Sequence, residues 1–157
     1  VRTALQYSGA RLVVLSTSGM EATSMNKDKY KPDGIIADWD RQPGISGKYH
    51  AVILIGGKGA RKSLWNDSIL PQILTDHYRC GSIIGAIGEA LVVLVKASLV
   101  SVEVPLPKSD ITREELEKLG AVCVDIPVVN FDNIIIGQCA DSVDLFVKGI
   151  TSLVGTK

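Results

Sequence analysis

The sequence has no excess of either charge, no long apolar run, few aromatic rings and no metal-type spacing of cysteine or histidine. Lys and Arg number 17 against 17 Asp and Glu. That balance excludes the strongly basic footprint of a dedicated nucleic-acid binder. Glu89 and Lys96 interrupt the longest apolar candidate before it reaches the roughly 18 to 20 residues needed to cross a bilayer. Cys80, Cys123 and Cys139 form no CxxC pair, which argues for a reducing compartment and against a disulfide framework. His50 and His77 stand far apart and read as structural or surface residues, so neither a metal nor a cofactor is expected. Disorder is also disfavoured, because 46% of the residues are hydrophobic and only 22% charged. The length of 157 residues suits a single domain, and with no signal-like opening the expected location is cytoplasmic.

What is present is an alternation of apolar runs and helical patterns. Residues 1–10 read as a helix stopped by Gly9. Leu12-Val13-Val14-Leu15 reads as a strand buried on both faces, and Gly34-Ile35-Ile36-Ala37 as a hairpin or edge strand. A second buried strand, residues 51–55, ends in Gly56-Gly57-Lys58-Gly59. Asp67 can cap a helix running to about Arg79, with Ile69, Leu70, Ile73 and Leu74 on one face. Residues 82–86 are a third buried strand, followed at Gly88 by an abrupt turn into a helix over 90–97. Asp110 or Thr112 can cap a helix over 112–119, and Gly120 closes it. Residues 122–129 and 133–136 pair around a turn, and a final helix over 140–153 buries Val143, Phe146, Val147 and Ile150.

This order predicts a mostly parallel α/β sheet with helices on both faces, whose ligands bind at the carboxyl ends of the strands. Doubly wound domains usually place a strand ahead of the first helix, often centrally in the sheet. The expectation is therefore a single domain over 1–157 that lacks its first strand. A sheet without that strand would expose two rows of backbone groups.

Two glycine turns are the places to look for chemistry. Gly56-Gly57-Lys58-Gly59-Ala60-Arg61-Lys62-Ser63 falls one residue short of a phosphate-binding loop, because Arg61 stands where the last glycine belongs. A tight turn at a strand end is the better reading. Ala86-Ile87-Gly88 occupies the place of a nucleophile elbow, yet it offers no Ser, Cys or Thr. Glu89 is the ionisable group at its tip. It could serve as an acid or base, or simply favour a helix start through the dipole. Cys139, in Gln138-Cys139-Ala140, could be a thiol activated at a helix N-terminus or a small residue packed under a turn. Cys80 and Cys123 read as core or half-buried thiols. Trp39 and Trp65 fall in polar loops, where they could cover a pocket, make a subunit contact or cap a sheet edge.

Several segments then carry a likeness. They are Gly9-Ala10-Arg11 through Leu15, Asp33, Lys48-Tyr49-His50-Ala51 through Gly57, Ala86-Ile87-Gly88, Gly120-Ala121 through Ile136, and Gln138 through Phe146. In this order and spacing the chain resembles the ThiJ/PfpI superfamily, of class I glutamine amidotransferase-like fold, over most of its length. The resemblance implies a flavodoxin-like three-layer sandwich. It also implies an elbow cysteine, often followed by histidine, an acid from the first strand, and an oxyanion region near the double glycine. Carried over, Gly88 takes the cysteine position, Glu89 the histidine position and Gly56-Gly57 the oxyanion region. Gln138 and Ala140 fall in the loop facing the elbow. Gly85-Ala86-Ile87-Gly88-Glu89-Ala90, after Tyr78-Arg79-Cys80, also resembles the extra C-terminal domain of large-subunit catalases, without the closing His-Arg-aromatic pattern of those domains.

The resemblance implies a homo-oligomer or a contact with a neighbouring domain, and a small-molecule ligand. Two functions follow. One is a noncatalytic domain with a binding, chaperone-like or regulatory role. The other is an enzyme acting on small carbonyls or amides through Cys139 or Glu89 in place of the elbow cysteine.

Overall fold

The computed structural model describes residues 1–24, 26–100 and 103–155. In chain order it contains α1 (Arg2–Tyr7), β1 (Leu15–Ser16), β2 (Ala22–Thr23), β3 (Lys29–Tyr30), β4 (Gly34–Ile35) and β5 (Ala51–Ile55). Then follow α2 (Lys58–Ser63), α3 (Leu70–Arg79), β6 (Ile83–Ile87), α4 (Leu91–Lys96), β7 (Glu103–Pro105) and α5 (Asp110–Lys118). The chain closes with β8 (Val122–Val124), β9 (Val128–Phe131), β10 (Ile134–Gly137) and α6 (Val143–Gly155).

The main sheet has the order β5-β6-β10-β9, parallel except for the β9–β10 hairpin. That hairpin turns at Asp132, whose φ of 56° is a left-handed conformation that Asp tolerates. β6 is central and buried along all five residues, as its unbroken apolar sequence requires. The two faces carry separate cores. Ile84, Ala86, Ile134 and Ile136 pack with Leu70, Ile73 and Leu74 of α3 and with α4. On the other face, Ile135 and Ile87 meet Phe146, Val147 and Ile150 of α6 and Leu5 of α1. The alternation along β10 is the period-two pattern of a strand between two helical layers. Phe146 is fully buried, and Phe146→Ala there would cost about 3–5 kcal/mol.

Several expectations are corrected in detail. The apolar run before Ser16 forms a strand only at Leu15–Ser16, pairing in parallel with β4, and residues 12–16 are half-buried. β5 is a strand as expected but is not buried through its length. It forms an edge of the main sheet, and Ile55 is 54% exposed. Thr112 is not a cap: it is buried inside α5, whose N-cap is Ser109. The strand read over 122–129 is broken after Val124. Its first part pairs with β7, an element too short and too polar at Glu103 to stand out in the sequence. Asp67 does act at the start of α3, accepting from the N–H of Ile69 and of Leu70, each at 2.9 Å.

Candidate functional site

Three turns leave the carboxyl edge of the main sheet side by side. Ile55 is in register with Ile87, and Ile87 with Gly137. Gly56, Gly88 and Gln138, the residues that follow, therefore emerge at one edge, where parallel α/β sheets hold their ligands. The sequence-derived candidates Gly56, Gly57, Ala86, Ile87, Gly88, Glu89, Gln138, Cys139 and Ala140 all lie on these strand ends and turns.

At the elbow, Gly88 has a φ of 67°, the left-handed conformation that a glycine adopts without penalty. A Cβ added to Gly88 would stand 2.9 Å from the carbonyl oxygen of Gly56. Gly56 is wedged in turn: a Cβ on it would lie 2.2 Å from the Ala90 nitrogen. Its N–H donates to the Ile87 carbonyl at 3.1 Å. The two glycines thus let one backbone turn rest directly on the other.

Glu89 is held by neighbours the sequence did not suggest. Its carboxylate accepts from Arg61 Nε at 2.7 Å and from Arg61 Nη2 at 3.4 Å, with the two side chains only 15% and 21% exposed. The Glu89 carbonyl accepts from Trp65 Nε1 at 2.7 Å. Lys96 then donates to the Trp65 carbonyl at 3.2 Å and pairs with Glu115 at 3.7 Å. Arg61, which spoils the phosphate-loop pattern, is the residue that fixes Glu89. Residues 58–63 form α2 rather than an open glycine loop. No local signal links positions 61 and 89, because the pairing exists only once α2 packs beside the elbow.

The turn after β10 is looser. The Gln138 side chain bridges β-strand ends, donating from Nε2 to the Leu106 carbonyl and to Asp125 Oδ1, both at 3.0 Å. Cys139 is half-buried, at the N-cap of a short 3-10 turn over Ala140–Ser142 that leads into α6. Its Sγ lies 3.9 Å from Asp141 Oδ2, which also takes a hydrogen bond from Lys108 Nζ at 3.1 Å. That bond raises the Lys108 pKa. Cys80 is exposed, contrary to the expectation of a core or half-buried thiol, because it follows α3 on the outer turn. Cys123 is half-buried in β8, and desolvation raises its thiol pKa.

At the opposite end of the sheet, His77 is fully buried in an aromatic nest. Nδ1–H donates to the Ile73 carbonyl at 2.7 Å, and Nε2 accepts from the Tyr49 N–H at 3.2 Å. This pair of bonds selects the neutral imidazole with its proton on Nδ1. Trp39 meets the ring edge-on at 5.0 Å, and Tyr49 stacks at 5.9 Å. Burial lowers the His77 pKa. His50 is exposed. Among the described residues no three His, Cys, Asp or Glu side chains gather to hold a metal ion. No helix among them is long and apolar enough to cross a membrane.

The pattern of the DJ-1/PfpI family matches residues 2–153, which is nearly the whole length. The chain belongs to the DJ-1/PfpI family. Within and around this family, an uncharacterised protein of Methanocaldococcus jannaschii is 29% identical over 145 residues, covering 90% of this chain and 67% of that protein. A ThiJ/PfpI domain protein from Brachyspira murdochii superposes with a TM-score of 0.84 at 18% identity, over 99% of this chain and 86% of that one. Drosophila melanogaster DJ-1beta superposes at 0.79 with 22% identity, over 98% and 81%. These structural likenesses fix the flavodoxin-like fold of this DJ-1/PfpI member. The catalase likeness rests on short sequence segments, Tyr78-Arg79-Cys80 and residues 85–90.

Proposed function

We propose that this DJ-1/PfpI domain is noncatalytic at its elbow and serves a binding or regulatory role, as an oligomer or beside a neighbouring domain. The observation that carries this is the pairing of a side-chain-free Gly88 in the left-handed conformation with a Glu89 whose carboxylate is already engaged by Arg61. Nucleophilic chemistry at an elbow needs an activated sulfur or oxygen there, and glycine has neither. General acid–base work needs a group free to exchange a proton with a substrate. Glu89 instead directs both carboxylate oxygens at one guanidinium.

A second reading, an enzyme acting on a small carbonyl or amide through Cys139, is favoured by the emergence of that thiol at the same carboxyl edge. Turnover of methylglyoxal and of simple amides separates the two. The noncatalytic reading expects no turnover above buffer. Turnover abolished by Cys139→Ser or Glu89→Gln would overturn it.

A further inference from the structure

Arg61 meets Glu89 with one edge of its guanidinium and leaves another edge unused. The bonds run from Nε at 2.7 Å to Glu89 Oε2 and from Nη2 at 3.4 Å to Glu89 Oε1. Those two nitrogens form the lateral fork of the planar group. Nη1 and the outer N–H of Nη2 form a second fork at its tip, since a guanidinium carries five fixed donors. That terminal fork bonds no side chain or carbonyl among the described residues, and Nη1 keeps contact with solvent. The group is therefore anchored on one side and open on the other.

The turns around this fork are nearly free of side chains. Gly56, Gly57 and Gly59 precede Arg61, and Gly88 stands next to Glu89 at the elbow. A Cβ on Gly57 or on Gly59 would meet nothing within 4 Å, so the space before them is open. Lys58 lies three residues before Arg61 in α2, hence on the same helical face, and it is exposed with no acidic partner among the described residues. Lys58 and Arg61 set two positive charges against the single negative charge of Glu89, an excess of one. On the third turn, Asp125 and Asp141 bring carboxylates to the same edge of the sheet, and these oppose a second negative charge on any ligand.

We propose that the terminal fork of Arg61 binds the carboxylate of a small monocarboxylic acid, whose body lies over the side-chain-free turn at Gly88. A carboxylate and a guanidinium fork match in one plane through two parallel bonds, which a lysine ammonium cannot reproduce. The Arg61 side chain is 21% exposed, so water screens the attraction less than it would on open surface. Glu89 fills the lateral fork and leaves the terminal one to the ligand. The bare turn at Gly88 gives a short ligand body room beside the fork, and the charge excess of one suits a monoanion. This inference rests on the reading that the elbow binds without reacting, and it names the class of ligand bound there.

The test titrates the protein with propionate at constant ionic strength, chloride making up the balance, and follows the NMR signals of Arg61 Nε–H and of the Gly57, Gly59, Gly88 and Glu89 amides. A saturable shift of these signals is expected, with neutral propionamide giving none and the dianion succinate binding more weakly. Arg61→Lys keeps the charge but loses the fork, and is expected to weaken propionate by about tenfold. Lys58→Gln changes an exposed side chain and is expected to weaken it by about threefold. Arg113→Gln, on α5, is expected to leave affinity unchanged. Should Arg61→Lys fail to fold, Lys58→Gln decides alone. Shifts that do not saturate, equal binding of propionamide or succinate, or an affinity indifferent to Arg61→Lys in the folded variant overturn the proposal. Turnover of methylglyoxal or an amide is a separate readout: it sinks the noncatalytic reading, whereas propionate carries neither group and reports on the fork itself.

Discussion

The two ends of β6 solve the same problem with different chemistry. At its start, Ser82 donates to the Tyr49 carbonyl at 2.6 Å, within a nest built around the neutral, fully buried His77. At its finish, the Glu89 turn is tied by an ion pair to Arg61 and by a neutral bond to Trp65. Each end holds a residue type that suggests catalysis, and each commits that residue to fixing the backbone. In both places the hydrogen bonds of the titratable group are made within the protein, to Ile73 and Tyr49 for His77 and to Arg61 for Glu89. Cys139, on the neighbouring turn, is the contrast. Its Sγ lies 3.9 Å from Asp141 Oδ2 and also interacts with Lys108, both on the exposed side of the turn.

The largest expected effect breaks the finish. Gly56→Ala puts a methyl group against the backbone of Ala90 and is expected to cost about 3 kcal/mol or more in urea unfolding. Gly59→Ala, which meets nothing within 4 Å, is the matched control and is expected within about 0.5 kcal/mol of the parent. Gly88→Cys, which would place a thiol at the elbow, faces a left-handed φ and the Gly56 carbonyl. It is expected to destabilise by about 1–2 kcal/mol and to yield no methylglyoxal turnover.

The start is sharpened by pH. Burial puts the His77 pKa of the folded chain below the ordinary 6.5, so between those values the unfolded chain binds the extra proton and the native chain does not. Stability from this group is complete above about pH 6.5 and declines as the pH falls toward the depressed folded value. Unfolding free energies across that window are expected to show the decline in the parent and to lose it in His77→Gln. The smallest effect is at the third turn. Cys139→Ser is expected to shift stability by less than about 0.5 kcal/mol, and Cys139 in the folded protein to react with a thiol reagent no faster than a small free thiol.

The elements that position this site were largely legible in the sequence. The apolar runs of β5 and β6 and the spacing of α3, α5 and α6 announce themselves, because each is continuous or periodic in the sequence. The glycines at 56 and 88 also marked the right turns. What could not be read depends on the assembled fold. Arg61 and Glu89 meet across 28 positions, and a guanidinium there looks like a damaged phosphate loop until α2 is seen as a helix. His77 sits in an amphipathic segment, and only the approach of Tyr49 N–H fixes its tautomer. The partial burial of β5 was equally hidden, since an apolar strand reads the same with one neighbour or two.

A double-mutant cycle between Arg61 and Glu89 distinguishes a structural strut from a reagent at the elbow. Arg61→Ala, Glu89→Gln and the double variant would be compared for unfolding free energy, with methylglyoxal turnover measured on the same preparations. A strut gives a coupling of about 1–2 kcal/mol, below the value for a fully buried pair because both side chains keep some contact with solvent, and no change in turnover. Additive stabilities, together with a parent activity that Glu89→Gln removes, would contradict it.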